Sequence, residues 1–282
     1  MAEYQNHILL ISKPFGITSF KFTNLVREIL KAKKAGHTGT LDPIATGLMV
    51  IALNGATKFM RFINTDRKEY VIRVRFGLET DTDDITGRII RTSDKIPSFD
   101  EVESVIEKFS GEIVQEAPTF SAKKVNGTPF YELARNGKKT PHRKAKVTIF
   151  KMEIINYSAG NLVVRVDCSK GTYMRSLARD IGRACGSAAT LSAIARTRAG
   201  KFSIKDATTL TRIRRGEKKG FVSVEDAITL PCLIVEDTHS FLNGVDIKTN
   251  FVKVKDKNGK FLGIGRIETG KIHPERVANE DI

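Results

Sequence analysis

Cysteine is scarce in this chain: Cys168, Cys185 and Cys232 are odd in number, widely spaced and free of any CxxC pair. That excludes a disulfide framework and a cysteine zinc site, and fits a reducing, cytoplasmic setting. Long hydrophobic runs are missing too. The N-terminal apolar run, Ile8 to Ile11, is far shorter than a signal-peptide core, and no later segment approaches a membrane span. Acidic residues are outnumbered, with 32 Asp and Glu against 47 Lys and Arg, a net charge of +15. Such a field suits a polyanion such as nucleic acid better than a small neutral metabolite. The excess is local, because Cys232 to Ile282 holds eight basic and eight acidic residues, leaving all of it in Met1 to Pro231. No internal repeat, coiled coil or low-complexity tract is present.

What is present describes a folded protein. The 282 residues, 40% of them apolar, suffice for one large domain with an appendage or two modest ones. HILLIS is a strand candidate, and KPFGITS after it is a turn whose Thr18 and Ser19 can cap a helix. Phe22, Leu25, Val26, Ile29 and Leu30 form the apolar stripe of that helix, with Lys31, Lys33 and Lys34 near its C-terminus. GHTGTLDPIATG, Gly36 to Gly47, is expected to be the loop leaving it. YVIRVRFG alternates with period two, placing Tyr70, Ile72, Val74 and Phe76 on the buried face and Arg73 and Arg75 on the other. Further strands are expected at Val147 to Ile155 and Leu162 to Cys168, and helices at Asp100 to Phe109 and Tyr173 to Cys185. The last helix has Met174, Leu177, Ala178 and Ile181 as its stripe and Thr172 as N-cap. After Pro231 come short strands with an Asn258-Gly259 hairpin signal, an expected all-β module.

Several residues invite a chemical reading, each beside a plainer one. Asp42 precedes Pro43, a common turn pair, and on local grounds the turn is the larger share. Against it, Gly36, Gly39 and Gly47 permit close backbone approach by a ligand. GHTGT lacks the Lys and Ser/Thr of a nucleoside triphosphate loop. His37 has no second His or Cys at ligand spacing, which speaks against a metal. Lys170, Gly171, Thr172 and Arg175 gather at a helix start, where amides and dipole attract an anion. From Ala134 to Lys146 there are six Lys or Arg and no acid, within a long segment suited to a phosphate backbone.

GHTGTLDPIATG resembles the catalytic motif of the TruB family of pseudouridine synthases. KPFGITS resembles its KPxGxTS segment, GATKF (Gly55 to Phe59) and KEY (Lys68 to Tyr70) stand in the expected order, and CSKGTYMRSLARDIG (Cys168 to Gly182) resembles CSKGTYIRxLxxDLG. The resemblance implies an α+β fold, with a central mixed, mainly antiparallel sheet flanked by helices. It implies a catalytic domain over residues 1–231, with a basic RNA-binding insertion at about 118–146. A small PUA-like β domain would span 232–282, a looser match carried by LNGVDI and FLGIGRIETGKIHPERV. The implied activity is isomerisation of uridine 55 in the tRNA T-loop, with no cofactor and no metal, by a monomer that binds the T-arm.

By the same resemblance Asp42 is the catalytic aspartate, Tyr70 stacks on the target base and takes the C5 proton, and Arg175 ion-pairs with the aspartate. His37 packs into the RNA where flipped bases have left the stack. Gly39, Thr40, Lys170 and Tyr173 line the pocket. Ile194 makes the apolar base contact, since Ile194-Ala195-Arg196 replaces the usual Leu-Arg-Arg. Lys138, Lys139, Arg143 and Lys144 represent the RNA-binding loop. Two other readings compete: a guide-RNA-dependent synthase of other RNAs, and an RNA-binding or tRNA-folding chaperone.

Overall fold

The computed structural model describes residues 6–116, 118, 124–125, 128–129, 144–235, 250–269 and 271–278. The chain forms two compact units, one of Met1–Pro43, Leu48–Thr65 and Lys201–Ile282, the other of Ile44–Gly47 and Asp66–Gly200. Among the described residues no helix is long and apolar enough to cross a membrane.

In the first unit, strand β1 (Ile8–Lys13) leads through the Pro-Gly turn into helix α1 (Ser19–Ile29). Of the two candidate caps, Thr18 takes the N-cap position and accepts a hydrogen bond from the Lys21 amide, while Ser19 is the first helical residue. Phe22, Val26 and Leu30 are buried, whereas Leu25 and Ile29 are only half-buried, and Thr23 shares the buried face. The glycine-rich motif is not simply a loop. It opens as strand β2 (Ala35–Thr38), which pairs antiparallel with β3 (Ala45–Leu53), so only Gly39 to Ile44 connect them. The expectation missed this because small residues hide a strand whose pairing comes from the apolar run LMVIAL beyond the turn. The following turn of 3-10 helix, Asn54–Phe62, sets Phe59 and Phe62 at 6.1 and 5.3 Å ring-to-ring from Phe261 and Phe251. Those two belong to a four-stranded sheet of Cys232–Ile234, Phe251–Lys255, Phe261–Glu268 and Lys271–Val277. Its Asn258-Gly259 turn is closed by Asp256, whose carboxylate accepts from the Asn258 and Lys260 amides at 2.9 Å. LNGVDI lies outside the described residues.

The second unit is built on β4 (Arg67–Phe76), with β5 (Gly111–Glu116), β6 (Lys144–Ser158), β7 (Asn161–Ser169) and β8 (Ala189–Ala199). The order is β8-β4-β7-β6-β5, all antiparallel, and the first three residues of β3 run parallel to β8. Helices α2 (Phe99–Lys108) and α3 (Met174–Ala184) pack on β6 and β8 respectively. The alternation of β4 is as expected, with Tyr70, Ile72, Val74 and Phe76 buried and Arg73 and Arg75 exposed. The stripe of α3 is buried as expected, but its cap is not Thr172. That hydroxyl donates back to the Ser169 carbonyl at 2.9 Å, and Tyr173 takes the N-cap position with no side-chain cap bond.

Gly47 also departs from expectation. Its φ is +100°, and a Cβ there would lie 2.3 Å from the Arg196 carbonyl oxygen and 2.7 Å from the Arg196 nitrogen. What approaches this glycine is strand β8, not a ligand. Gly47→Ala adds a backbone clash to a left-handed strain and is expected to cost about 3 kcal/mol. A thermal melt matching wild type would contradict this.

Candidate active site

Asp42 lies half-buried in the β2–β3 connection, and its neighbours are tied to the stretch from the end of β1 to the first residue of α1. Ser19, 2% exposed, donates its hydroxyl to the Leu41 carbonyl and accepts from the Leu41 amide, each at 2.8 Å. On the other side, the Gly16 amide donates to the Pro43 carbonyl at 2.8 Å. Lys13 is fully buried, and its Nζ donates to the carbonyls of Pro14 (2.9 Å), Ile17 (2.7 Å) and Pro43 (3.5 Å). A buried ammonium is tolerated where carbonyl oxygens replace its water. The Asp-Pro turn is therefore real, and it holds a carboxylate in a braced frame. Gly39, at φ +74°, and Thr40 are exposed beside it, while half-buried His37 places Nδ1 3.0 Å from the Thr23 hydroxyl.

In the second unit Tyr70 is 7% exposed and stands in register between Val166 and Arg196 on the neighbouring strands. Arg196, opposite Tyr70 on the neighbouring strand, is fully buried. Lys68, two residues before Tyr70, shares its sheet face. Burial holds its amine below the usual lysine range, and the charge of Arg196 pushes the same way. Half-buried Ile194 pairs with Ala45 and Ile72, and the Thr46 hydroxyl donates to its carbonyl at 3.3 Å.

Arg175, the second residue of α3, is 4% exposed. Its Nη1 donates to the Thr82 carbonyl at 3.2 Å, and its Nε lies 3.9 Å from Asp84 Oδ2. Asp84 is oriented in turn by the Thr86 amide (2.9 Å) and the Thr82 hydroxyl (3.0 Å). The helix start is gripped by β5. Gln115 accepts from the Tyr173 amide at 3.0 Å and donates to the Tyr173 carbonyl at 3.3 Å, while the Ser176 hydroxyl donates to the Glu116 carbonyl at 2.7 Å. This grip does the work expected of a Thr172 cap. Lys170 is exposed and paired with Asp66 at 2.8 Å. Of the basic loop, Lys144 is exposed at the start of β6, and Lys138, Lys139 and Arg143 lie outside the described residues.

His37, Gly39, Thr40 and Asp42 therefore belong to the first unit, and Tyr70, Lys170, Tyr173, Arg175 and Ile194 to the second. Sequence reasoning missed Lys13, Ser19, Lys68, Asp84, Gln115 and Arg196 as supports. Lys13 and Ser19 lie in KPFGITS and Lys68 in KEY, but their contacts join segments far apart in the chain. Among the described residues no group of His, Cys, Asp or Glu could hold a metal ion.

Comparison with known proteins gives one consistent result. The profile described as "TruB family pseudouridylate synthase (N terminal domain)" matches residues 27–174, and "Pseudouridine synthase II TruB, C-terminal" matches 236–278. The tRNA pseudouridine synthase B of Caldanaerobacter subterraneus subsp. tengcongensis is 38% identical over 281 residues, covering 96% of this chain and 98% of that one. That of Aquifex aeolicus is 37% identical over 283 residues, covering 95% and 98%. The crystal structure of a Cbf5-Nop10-Gar1 complex includes a chain with the same fold, at TM-score 0.72 and 24% identity, covering 98% of this chain and 85% of that one.

The electrostatics beside Arg175 yield a pH dependence. Burial pushes the Asp83 carboxyl up from 3.8 to about 6, against the pull of Arg179 at 2.9 Å and of Arg175. Between those values the folded chain holds a proton that the unfolded chain has released. The contribution is therefore complete below about pH 4 and is lost as pH rises through about 6. Asp83→Asn cannot ionise, so relative to this variant the wild type is expected to lose up to about 3 kcal/mol across that window. Denaturant unfolding of both proteins at stepped pH measures the difference, and parallel profiles would refute it.

Proposed function

The chain belongs to the TruB family of pseudouridylate synthases, and from that premise we propose how its residues divide the work on RNA. The protein is a tRNA pseudouridine synthase that isomerises uridine to pseudouridine, and the proposed target is position 55 in the T-loop of the T-arm. The N1–C1′ bond breaks, the uracil turns while held, C5 joins C1′ and gives up its proton, and N1 gains one, so there is no net redox change or hydrolysis. Nothing in that balance calls for a cofactor or metal.

Asp42 supplies the carboxylate that meets the ribose of the target nucleotide. A single carboxylate suffices because no water is activated, unlike the acid and base pair of a glycoside hydrolase. The observation that carries this reading is the bracing of Leu41 and Pro43 from both sides, which pre-positions one charged group in a glycine-rich turn. In the proposal Arg175 pairs with Asp42, held in its own place by Thr82 and Asp84. Tyr70 stacks on the uracil and takes the C5 proton. Ile194 packs on the base, His37 fills the space left by the flipped bases, and Gly39, Thr40, Lys170 and Tyr173 line the pocket. Flipping the base costs a few kcal/mol, which phosphate contacts offset. Lys138, Lys139, Arg143 and Lys144, in the 118–146 insertion of a 1–231 catalytic domain, provide them, while the charge-neutral 232–282 module is an accessory grip. We place the enzyme in the cytoplasm as a monomer. A chaperone that only bound RNA would have no need of a braced carboxylate.

Asp42→Asn is expected to bind unmodified tRNA transcript nearly as well as wild type and to form no pseudouridine, as mapped at nucleotide resolution. Turnover by this variant would sink the assignment, and product elsewhere than the T-loop would move the target. Neutralising Lys138, Lys139, Arg143 and Lys144 together is expected to flatten the salt dependence of binding by about one slope unit per lost phosphate contact. An unchanged slope would remove the loop from the interface.

A further inference from the structure

Thr23 occupies an unexpected place for a hydroxyl, on the buried stripe of α1 between Phe22 and Val26 and only 4% exposed. Its Oγ1 lies 2.8 Å from the Ser19 carbonyl oxygen and 3.0 Å from His37 Nδ1. A hydroxyl has one proton, and a carbonyl can only accept. If that proton pointed at the imidazole, two lone-pair oxygens would face each other at 2.8 Å inside the core. The proton therefore goes to Ser19, and a lone pair of Oγ1 faces the ring. Two lone pairs cannot meet at 3.0 Å either, so Nδ1 carries a hydrogen and donates. The neutral His37 is then the Nδ1–H tautomer, with Nε2 unprotonated.

The same Ser19 whose carbonyl accepts from Thr23 has its hydroxyl bonded both ways to Leu41, the residue before Asp42. We propose that Thr23 is a positioning residue: it fixes His37 as the Nδ1–H tautomer and ties the ring, through Ser19, to the peptide that carries Asp42. The chain of donors runs from His37 Nδ1–H to Thr23 Oγ1–H to the Ser19 carbonyl. Valine has the same shape and would bury at this position without needing a partner. A threonine is tolerated there because both of its polar functions are used. In this tautomer Nε2 of the neutral ring accepts, so the RNA group that meets it is a donor, such as a ribose 2′-hydroxyl or a base N–H. The kinetic consequence rests on the reading of His37 as an RNA contact; the tautomer does not.

The test uses the full chain with 15N-labelled histidine, at a pH where the His37 ring is neutral. Long-range proton–nitrogen spectra of wild type and of Thr23→Ser are expected to show a protonated Nδ1 and a bare Nε2. Thr23→Val is expected to shift the ring toward protonated Nε2. A wild-type ring already protonated at Nε2 overturns the proposal, as does a valine variant with the wild-type pattern. With tRNA transcript as substrate, Thr23→Val is expected to raise KM about threefold, within the range of one neutral hydrogen bond, and Thr23→Ser to restore it. If the spectra shift and KM does not, the relay stands and the placement of His37 against RNA is what fails.

Discussion

Everything chemical in the first unit depends on how the short Leu41-Asp42-Pro43 segment is held. Its brace comes from the stretch between β1 and α1 and its two end residues, which reaches Leu41 through Ser19 across 22 residues of sequence and Pro43 through Gly16 and Lys13. A carboxylate on a loose surface turn would spread over many positions and lose most of its value as a catalyst. Here the backbone on either side of Asp42 is hydrogen-bonded, so the loss of freedom is taken at folding and not when substrate binds. The fully buried Lys13 is the unusual component, since its ammonium donates to backbone carbonyls inside the fold.

Charge acts at two ranges. The excess of +15 works at a distance, drawing a polyanion to the surface and weakening with salt. Inside the second unit the effects are local and depend on burial. Arg175 faces the Thr82 carbonyl and Asp84, Arg179 faces Asp83, and Arg196 bears on Lys68. Buried cations of this kind need their partners in place, which is why the Asp83-Asp84 turn and the Gln115 grip on α3 belong to the same machinery as Arg175.

The elements with strong periodicity were legible. The alternation of β4 places Tyr70 with the core, the stripe of α3 matches its buried face, and the cap of α1 is one of the two residues its sequence offers. Local rules failed where a partner far along the chain outcompeted a near one. Thr172 looked like an N-cap, yet Gln115 holds that helix start and leaves the Thr172 hydroxyl to Ser169. Gly47 looked like room for a ligand, yet the room is filled by the backbone of Arg196. The opening of GHTGTLDPIATG looked like loop, yet Ala35–Thr38 gains its ladder from the apolar strand it turns back upon.

The sequence by itself determined the chemistry on offer: one aspartate before a proline among glycines, a tyrosine on the inner face of a strand, an arginine at a helix start, and a basic field. These follow from residue type and spacing, which survive without coordinates. Tertiary structure alone decided how those groups are supported. It brought Ser19 to Leu41, Thr23 to His37, Asp84 to Arg175 and Gln115 to Tyr173, pairs separated by 14 residues or more. The reason is physical: a hydrogen bond needs two groups within about 3 Å in fixed orientation, and a buried ion pair needs them within about 4 Å. Sequence spacing constrains that only inside one helix or one strand.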